Sequence, residues 1–270
     1  MKLQTLLILT VATCLLAAGC TATPASKAAL TGELMQWHPI TLTFDGPESA
    51  EQAQANPFRD YRLTVTFKKG KKTITVPGYF AADGNAAETS AEQGGKWRVH
   101  FVPDETGRWR YSAQLRTGAD VALSDDPEAG EPVALPGAKG SFRIEPTDKT
   151  GRDHRAKGML RYVDSRYLQF AGTGEIFLKA GADSPENFLA YAEFDGTYDT
   201  AKLERTGEAA GDKFIHRYEP HVRDFNPDDP TWKNGRGKGI IGALNYLASK
   251  GMNSVYFIPY NIDGGDGKDV

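Results

Sequence analysis

Between Trp37 and Ile144, apolar and polar residues alternate with a period of two. Thr41 and Thr43 separate Ile40, Leu42 and Phe44, and Thr64 and Thr66 separate Leu63, Val65 and Phe67. Trp97, Val99 and Phe101 alternate with Arg98 and His100, and Trp109, Tyr111, Ala113 and Leu115 with Arg108, Arg110, Gln114 and Arg116. Successive side chains of a strand point to opposite faces, so this beat sets one face on a core and the other in water. Lys69-Gly70 marks a turn, Thr73–Val76 a return strand, and Phe142 and Ile144 close the series. About seven short strands punctuated by Gly, Pro and Asp predict an antiparallel β-sandwich.

Near position 150 the pattern changes. Thr147 to Lys157 is polar and charged and marks a boundary. Lys157–Val163 and Tyr167–Phe170 predict two short strands joined through Asp164-Ser165. The unbroken run Ile176-Phe177-Leu178 predicts a strand buried on both faces, as in a parallel sheet. After a long connection, Ile240, Ile241, Ala243, Leu244 and Leu247 form the apolar stripe of a helix over Ile240–Ser249, with Gly251 as its left-handed cap. Val255, Phe257 and Ile258 predict a further buried strand over Asn253–Pro259. Strand, helix and strand in that order predict a βαβ unit with a right-handed crossover.

The N-terminus reads as an export signal: Lys2, an apolar stretch from Leu6 to Leu16, then Ala17-Ala18-Gly19-Cys20. Its end resembles a bacterial lipobox, with Ala17 where leucine is usual. The Ala, Thr, Ser, Pro and Lys that follow, with little apolar content, read as a flexible tether over 20–32, and the resemblance implies a signal peptide over 1–19 and lipidation of Cys20. It also implies a membrane-anchored lipoprotein. Thr21, rather than aspartate, after the cysteine favours the outer membrane or cell surface over the inner membrane. The two cysteines, Cys14 and Cys20, both lie in this leader, so no disulfide framework is available to the folded part. With 40% hydrophobic and 25% charged residues the chain as a whole reads as globular, and a net charge of −3 gives no reason to expect nucleic acid as a partner.

Two family resemblances sharpen this outline. Glu105-Thr106-Gly107-Arg108-Trp109-Arg110-Tyr111 resembles the Asp-x-Gly-x-Tyr-x-Cys corner of immunoglobulin strand F, with Trp109 in the tyrosine's place and Tyr111 in the cysteine's. Together with Phe44-Asp45-Gly46-Pro47, Asn56-Pro57-Phe58-Arg59-Asp60-Tyr61 and Val76-Pro77-Gly78-Tyr79-Phe80-Ala81-Ala82-Asp83-Gly84, it resembles a bacterial Ig-like module of unnamed function that precedes glycoside hydrolase-type barrels. Downstream, Leu247-Ala248-Ser249-Lys250-Gly251-Met252-Asn253-Ser254-Val255-Tyr256 resembles the helix-to-second-strand junction of clan A-type glycoside hydrolases. Phe177-Leu178-Lys179-Ala180-Gly181-Ala182-Asp183-Ser184-Pro185-Glu186-Asn187 resembles the first strand and loop of related barrels. The expected architecture is therefore an Ig-like β-sandwich over 33–148, followed over 149–270 by the first βαβ part of an incomplete (β/α)8 TIM barrel.

Active sites of such barrels sit at the C-terminal ends of the strands. The resemblance therefore nominates Asp183, Glu186 and Asn187 after the first strand, and Tyr260, Asn261 and Asp263 after the second, as substrate-binding residues. Tyr191 is a candidate for ring stacking. For Asp183, Glu186 and Asn187 an equal alternative is that they pin the long loop, and His216 and His221 are expected to be structural. Of the aromatics Trp37, Tyr79 and Trp97, core or interdomain packing is the favoured role, with sugar stacking the alternative. Glycoside hydrolysis needs two flanking carboxylates, which the resembling families place on strands four and seven, so the catalytic pair is expected beyond residue 270. Asp263, Asp266 and Asp269 lack calcium-loop spacing, and no zinc or phosphate-loop motif is present, so neither metal nor cofactor is expected. The expected partners are a poly- or oligosaccharide and, through the lipid, a membrane. A non-catalytic carbohydrate-binding or adhesion lipoprotein is the rival reading, and a lyase a third.

Overall fold

The computed structural model describes residues 27–164, 166–181, 188–197 and 215–256. Within them, the alternating half of the sequence folds into two facing antiparallel sheets. The first contains β1 (Ala29–Gly32), β2 (Ile40–Ala50), β5 (Tyr79–Phe80) and β6 (Gln93–Phe101) in the order β1-β2-β6-β5. The second orders β4 (Lys72–Pro77), β3 (Tyr61–Lys69) and β7 (Gly107–Thr117). β8 (Glu131–Val133) and β9 (Lys139–Ile144) share the far edge of β7. A single helical turn, α1 (Ala86–Thr89), lies between β5 and β6.

The period-two residues supply the core. Ile40, Leu42 and Phe44 from β2 and Trp97, Val99 and Phe101 from β6 meet Leu63, Val65 and Phe67 from β3 and Trp109 and Leu115 from β7, all buried. Aromatic contacts join the two sheets. Phe67 stacks on Phe101 at 4.0 Å between ring centroids, and Trp109 meets Phe101 edge-on at 5.1 Å. Such pairs contribute about 0.5–1.5 kcal/mol beyond the area they bury. The Trp109 indole N–H donates to the Glu105 carbonyl at 2.9 Å, so it closes the turn before β7 as the strand-F likeness implies.

Two glycines explain motifs whose purpose the alternation does not reveal. At Gly78 the chain leaves β4 in one sheet for β5 in the other. Its N–H donates to Leu63 O at 2.8 Å, and a Cβ there would overlap Arg98 O at 2.6 Å. At Gly46 the β2–β6 register shifts between Asp45 and Ser49, and a Cβ would meet the Trp97 indole ring at 2.5 Å. The bulge thus makes a seat for Trp97, whose N–H donates to Pro47 O at 3.1 Å.

Several boundaries move. Residues 29–32, assigned to the tether by composition, form β1, paired antiparallel with β2 from Ala29↔Thr43 to Gly32↔Ile40. The predicted hairpin of the second segment is present: β10 (Leu160–Tyr162) pairs antiparallel with β11 (Leu168–Phe170). The run at Ile176, expected to be a doubly buried parallel strand, is instead the short β12 (Ile176–Phe177). It pairs antiparallel with β11, and Ile176 is 57% and Leu178 63% exposed. Helix α2 (Lys238–Ser249) forms and buries Ile240 and Ala243. Asn253–Tyr256 has no strand pairing among the described residues, and 257–259 lie outside them. The described residues therefore show an antiparallel three-stranded sheet and a helix, and no parallel βαβ unit of a TIM barrel. The reason is local: β12 takes its hydrogen bonds from the adjacent hairpin, the nearest partner in sequence.

Two stretches of the second segment nevertheless touch. Asn253 N–H donates to Ala180 O, its side-chain amide donates to Leu178 O, and its Oδ1 accepts from Ala180 N–H, at 2.8, 2.9 and 2.8 Å. One asparagine thus clips the chain after α2 to the chain after β12. No helix among the described residues is long and apolar enough to cross a membrane.

Candidate functional site

None of the six nominated substrate-binding residues falls within the described structure: Asp183, Glu186, Asn187, Tyr260, Asn261 and Asp263 all lie outside it, as does Cys20. Tyr191 is placed, and stacking on a sugar is excluded for it by burial. It is 1% exposed, in a cluster with Phe188, Ile240 and Ala243. Its hydroxyl donates to Glu193 at 2.6 Å, and burial, then that carboxylate, push its pKa up to about 12. Glu193 also accepts from the Gly237 N–H at 2.6 Å. Burial opposes its charge, but these donors and the nearby Arg236 and Arg217 outweigh that and lower its pKa. Glu193 was not nominated from sequence and fastens the loop to the start of α2. His221 pairs with Asp224 at 3.0 Å and leans on Tyr246. His216 bridges Tyr191 through the backbone, and burial lowers its pKa.

The three aromatics weighed for sugar stacking separate by environment. Trp97 is in the core at 1% exposure. Trp37 packs at the junction of the two segments, where a Cβ on Gly158 or Gly172 would come within 3.0 or 3.2 Å of its indole. Tyr79 alone faces water, 41% exposed on the outer face of the first sheet. Its hydroxyl shares a 2.8 Å hydrogen bond with His100 Nε2, and the rings tilt together at 5.5 Å. The other His100 nitrogen, Nδ1, shares a 2.8 Å hydrogen bond with the Thr41 hydroxyl. A neutral imidazole has one donor and one acceptor, so a hydroxyl on either side satisfies both and fixes the ring.

The adjoining row repeats the device. Arg98 Nε donates to Thr43 Oγ1 at 3.1 Å, and its guanidinium also donates to Gly84 O. Lys96 pairs with Asp45 beyond it. Register explains the arrangement, since Thr41, Thr43 and Asp45 stand opposite His100, Arg98 and Lys96. The result is a hydrogen-bonded surface with one half-exposed ring among hydroxyl, imidazole and guanidinium groups.

This face ends at the second segment. The loop carrying Gly84 leads into α1, where Glu88 accepts from the Lys233 backbone N–H at 2.8 Å. Ser90 Oγ donates to Asp195 at 2.9 Å, and Lys233 Nζ reaches both Ser90 and Asp195. A second contact joins Arg161 to Asp104 at 3.2 Å. A third runs through Glu33, which holds buried His38 and pairs with Lys149 at 3.3 Å and Arg155 at 3.4 Å.

Residues 33–116 match DUF5060, a domain of unknown function. The matched stretch runs from the segment before β2 to within β7. No curated protein matches the chain. Among solved structures, a protein of Bacteroides vulgatus ATCC 8482, provisionally assigned as a glycoside hydrolase, is similar at 23% identity with a TM-score of 0.36. The similarity covers 56% of this chain and 22% of that one.

A glycosidic general acid needs a carboxyl group whose pKa is raised. Every described carboxylate with a displaced pKa is displaced downward: Glu33, Asp60, Asp83, Glu105, Asp148, Asp153, Glu193, Asp195 and Asp229. Each is engaged by cations, hydroxyls or backbone N–H groups that stabilise its charge. Among the described residues no three His, Cys, Asp or Glu side chains are grouped to hold a metal ion.

Proposed function

We propose that the chain is part of a lipid-anchored, polysaccharide-acting protein of glycoside hydrolase type. In this reading the sandwich contacts saccharide through the outer face of its first sheet, and the catalytic carboxylates lie outside this sequence. One observation carries the reading: Tyr79 is half exposed and held by a hydrogen-bonded imidazole beside Thr41, Thr43 and Arg98. A pyranose presents an apolar C–H face and a rim of hydroxyls. A fixed ring offers stacking area at little entropic cost, and the surrounding groups offer donors and acceptors.

Two features of the second segment support the reading that further elements pack on it. Asn253 ties the chain after the helix to the chain after β12. Leu160, Tyr167, Leu168, Leu178 and Tyr256 leave an apolar surface around a 720 Å³ depression, the kind of surface further barrel elements would cover. Lipidation at Cys20 would place this assembly at the cell envelope.

Calorimetric titration of the 270-residue chain with neutral oligosaccharides tests the saccharide reading. Tyr79→Ala is expected to weaken binding by about tenfold, equivalent to about 1.4 kcal/mol, with the thermal midpoint preserved. Undiminished binding in Tyr79→Ala would overturn the assignment of this face.

A further inference from the structure

The outer face of the second sheet differs sharply in charge from the first. Lys68 on β3 stands directly opposite Arg110 on β7, and Arg108 stands opposite Arg143 on β9. Like charges in facing positions of a sheet repel and cost stability. The fold shows what it does with cations that are only structural. The next facing pair, Lys69 and Lys72, is neutralised by Glu105 at 2.5 and 2.7 Å and by Asp104 at 2.7 Å. Arg143 likewise has Glu145 at 2.7 Å. Among the described residues Lys68 and Arg110 have no acidic partner, and Arg108 has only the Ser141 hydroxyl at 3.0 Å.

These cations line a shallow groove of 440 Å³, together with the hydroxyl-bearing Thr66 and Ser112. Thr73 and Ser141 extend the Lys68–Arg110 row at its two ends. The net charge of the protein is −3, so this positive strip is set against the overall balance. We infer that the groove is a binding site for an acidic oligosaccharide, one bearing carboxylate or sulfate groups along its chain. The inference rests on the saccharide reading above for the ligand being a glycan, and adds its charge and a second contact surface.

Charge complementarity selects the anion, and the interleaved hydroxyls select a polyhydroxylated carrier over a bare one. A guanidinium pairs two-pronged with a carboxylate or sulfate, and the ammonium of Lys68 supplies a second charge about one strand spacing away, roughly 4.8 Å. An anionic lipid surface is a poorer match. Apart from Pro77 and Pro132, the outward positions of these strands are polar or charged, and interfacial binding draws on inserted apolar groups.

The test uses the full 270-residue chain with four probes: an oligogalacturonate, a sulfated oligosaccharide, a neutral oligosaccharide of equal length, and phosphatidylglycerol vesicles. Binding to at least one acidic sugar is expected to exceed that to the neutral sugar by about tenfold or more and to weaken as salt rises. Lys68→Gln combined with Arg110→Gln should abolish that preference. The same variant should keep or raise the thermal midpoint, because it removes a repulsion; a merely structural role for these cations predicts a lower one. Tyr79→Ala should leave the acidic preference intact, so failure of the first face and failure of this groove read out separately. Equal affinity for acidic and neutral sugars, an unchanged preference in the double variant, or binding to the vesicles alone would each overturn the proposal.

Discussion

Trp109 shows how one side chain can serve two purposes at once. Its ring fills the core between the sheets, and its N–H closes the turn that starts β7. Trp109→Phe keeps an aromatic ring but loses that hydrogen bond and some volume, and is expected to cost about 1–3 kcal/mol. The urea midpoint measures it, and a change within error would show that the indole N–H contributes nothing. Glu105 gives a pH-dependent counterpart. The hydrogen bond from Lys69, then that from Lys72, holds its pKa down at about 2, against an ordinary 4.5. A carboxyl group with a depressed folded-state pKa binds fewer protons folded than unfolded. Its contribution is therefore complete above about pH 4.5 and disappears as pH falls towards 2. Asp153, held down to about 2 by Arg155, acts in the same direction. Thermal midpoints should fall over that interval, and Glu105→Gln should make the fall shallower. An identical slope in the variant would discount the pair, which is partly exposed and of modest worth.

Secondary elements form here where pattern and partner agree. The period-two strands β2, β3, β6 and β7 were legible because each alternates over several residues and buries one face. β1 was not, since Ala29-Leu30-Thr31-Gly32 carries little apolar content and takes its register from β2. α2 was legible from its stripe, but its seating is a tertiary matter. A Cβ on Gly242 would collide with His221 O, in the 3-10 turn against which the helix packs. Gly242→Ala should therefore destabilise the second segment by about 1–3 kcal/mol through overpacking, despite alanine's better helix propensity. Hydrogen exchange over 238–249 reads this directly, and slower exchange in the variant would contradict it. The short β12 marks where pattern reasoning failed. An apolar run reads the same whether it is buried on two faces or exposed at the margin of an antiparallel sheet.

For the molecule as a whole, the placement of the catalytic pair in the resembling families and the open apolar surface make separate predictions. The 270-residue chain is expected to show no glycosidase turnover on chromogenic substrates, because the resembling families carry their two catalytic carboxylates on strands four and seven of the barrel. Real turnover that survives purification would require a catalytic pair within this sequence. The surface around Leu168 and Leu178 should enhance the fluorescence of an apolar dye, and Leu168→Lys with Leu178→Lys should reduce it. No enhancement in the parent chain would mean that this surface is covered in solution. The separation of charge between the two sandwich faces also belongs to this scale. Facing cations come from distant strands, so only the paired register brings Lys68 beside Arg110 and Arg108 beside Arg143.

Alternation alone located the main strands of a two-faced sandwich within residues 37–144 and most of the side chains that fill it, because alternating apolar and polar residues turn one face inward. It also located the hairpin of the second segment and the helix over 240–249. The tertiary structure decided which of Trp37, Tyr79 and Trp97 meets water, which cations lack partners, and that β12 joins its neighbouring hairpin. Those outcomes depend on what stands opposite each residue across a sheet or a domain junction, and local spacing along the chain carries no information about that.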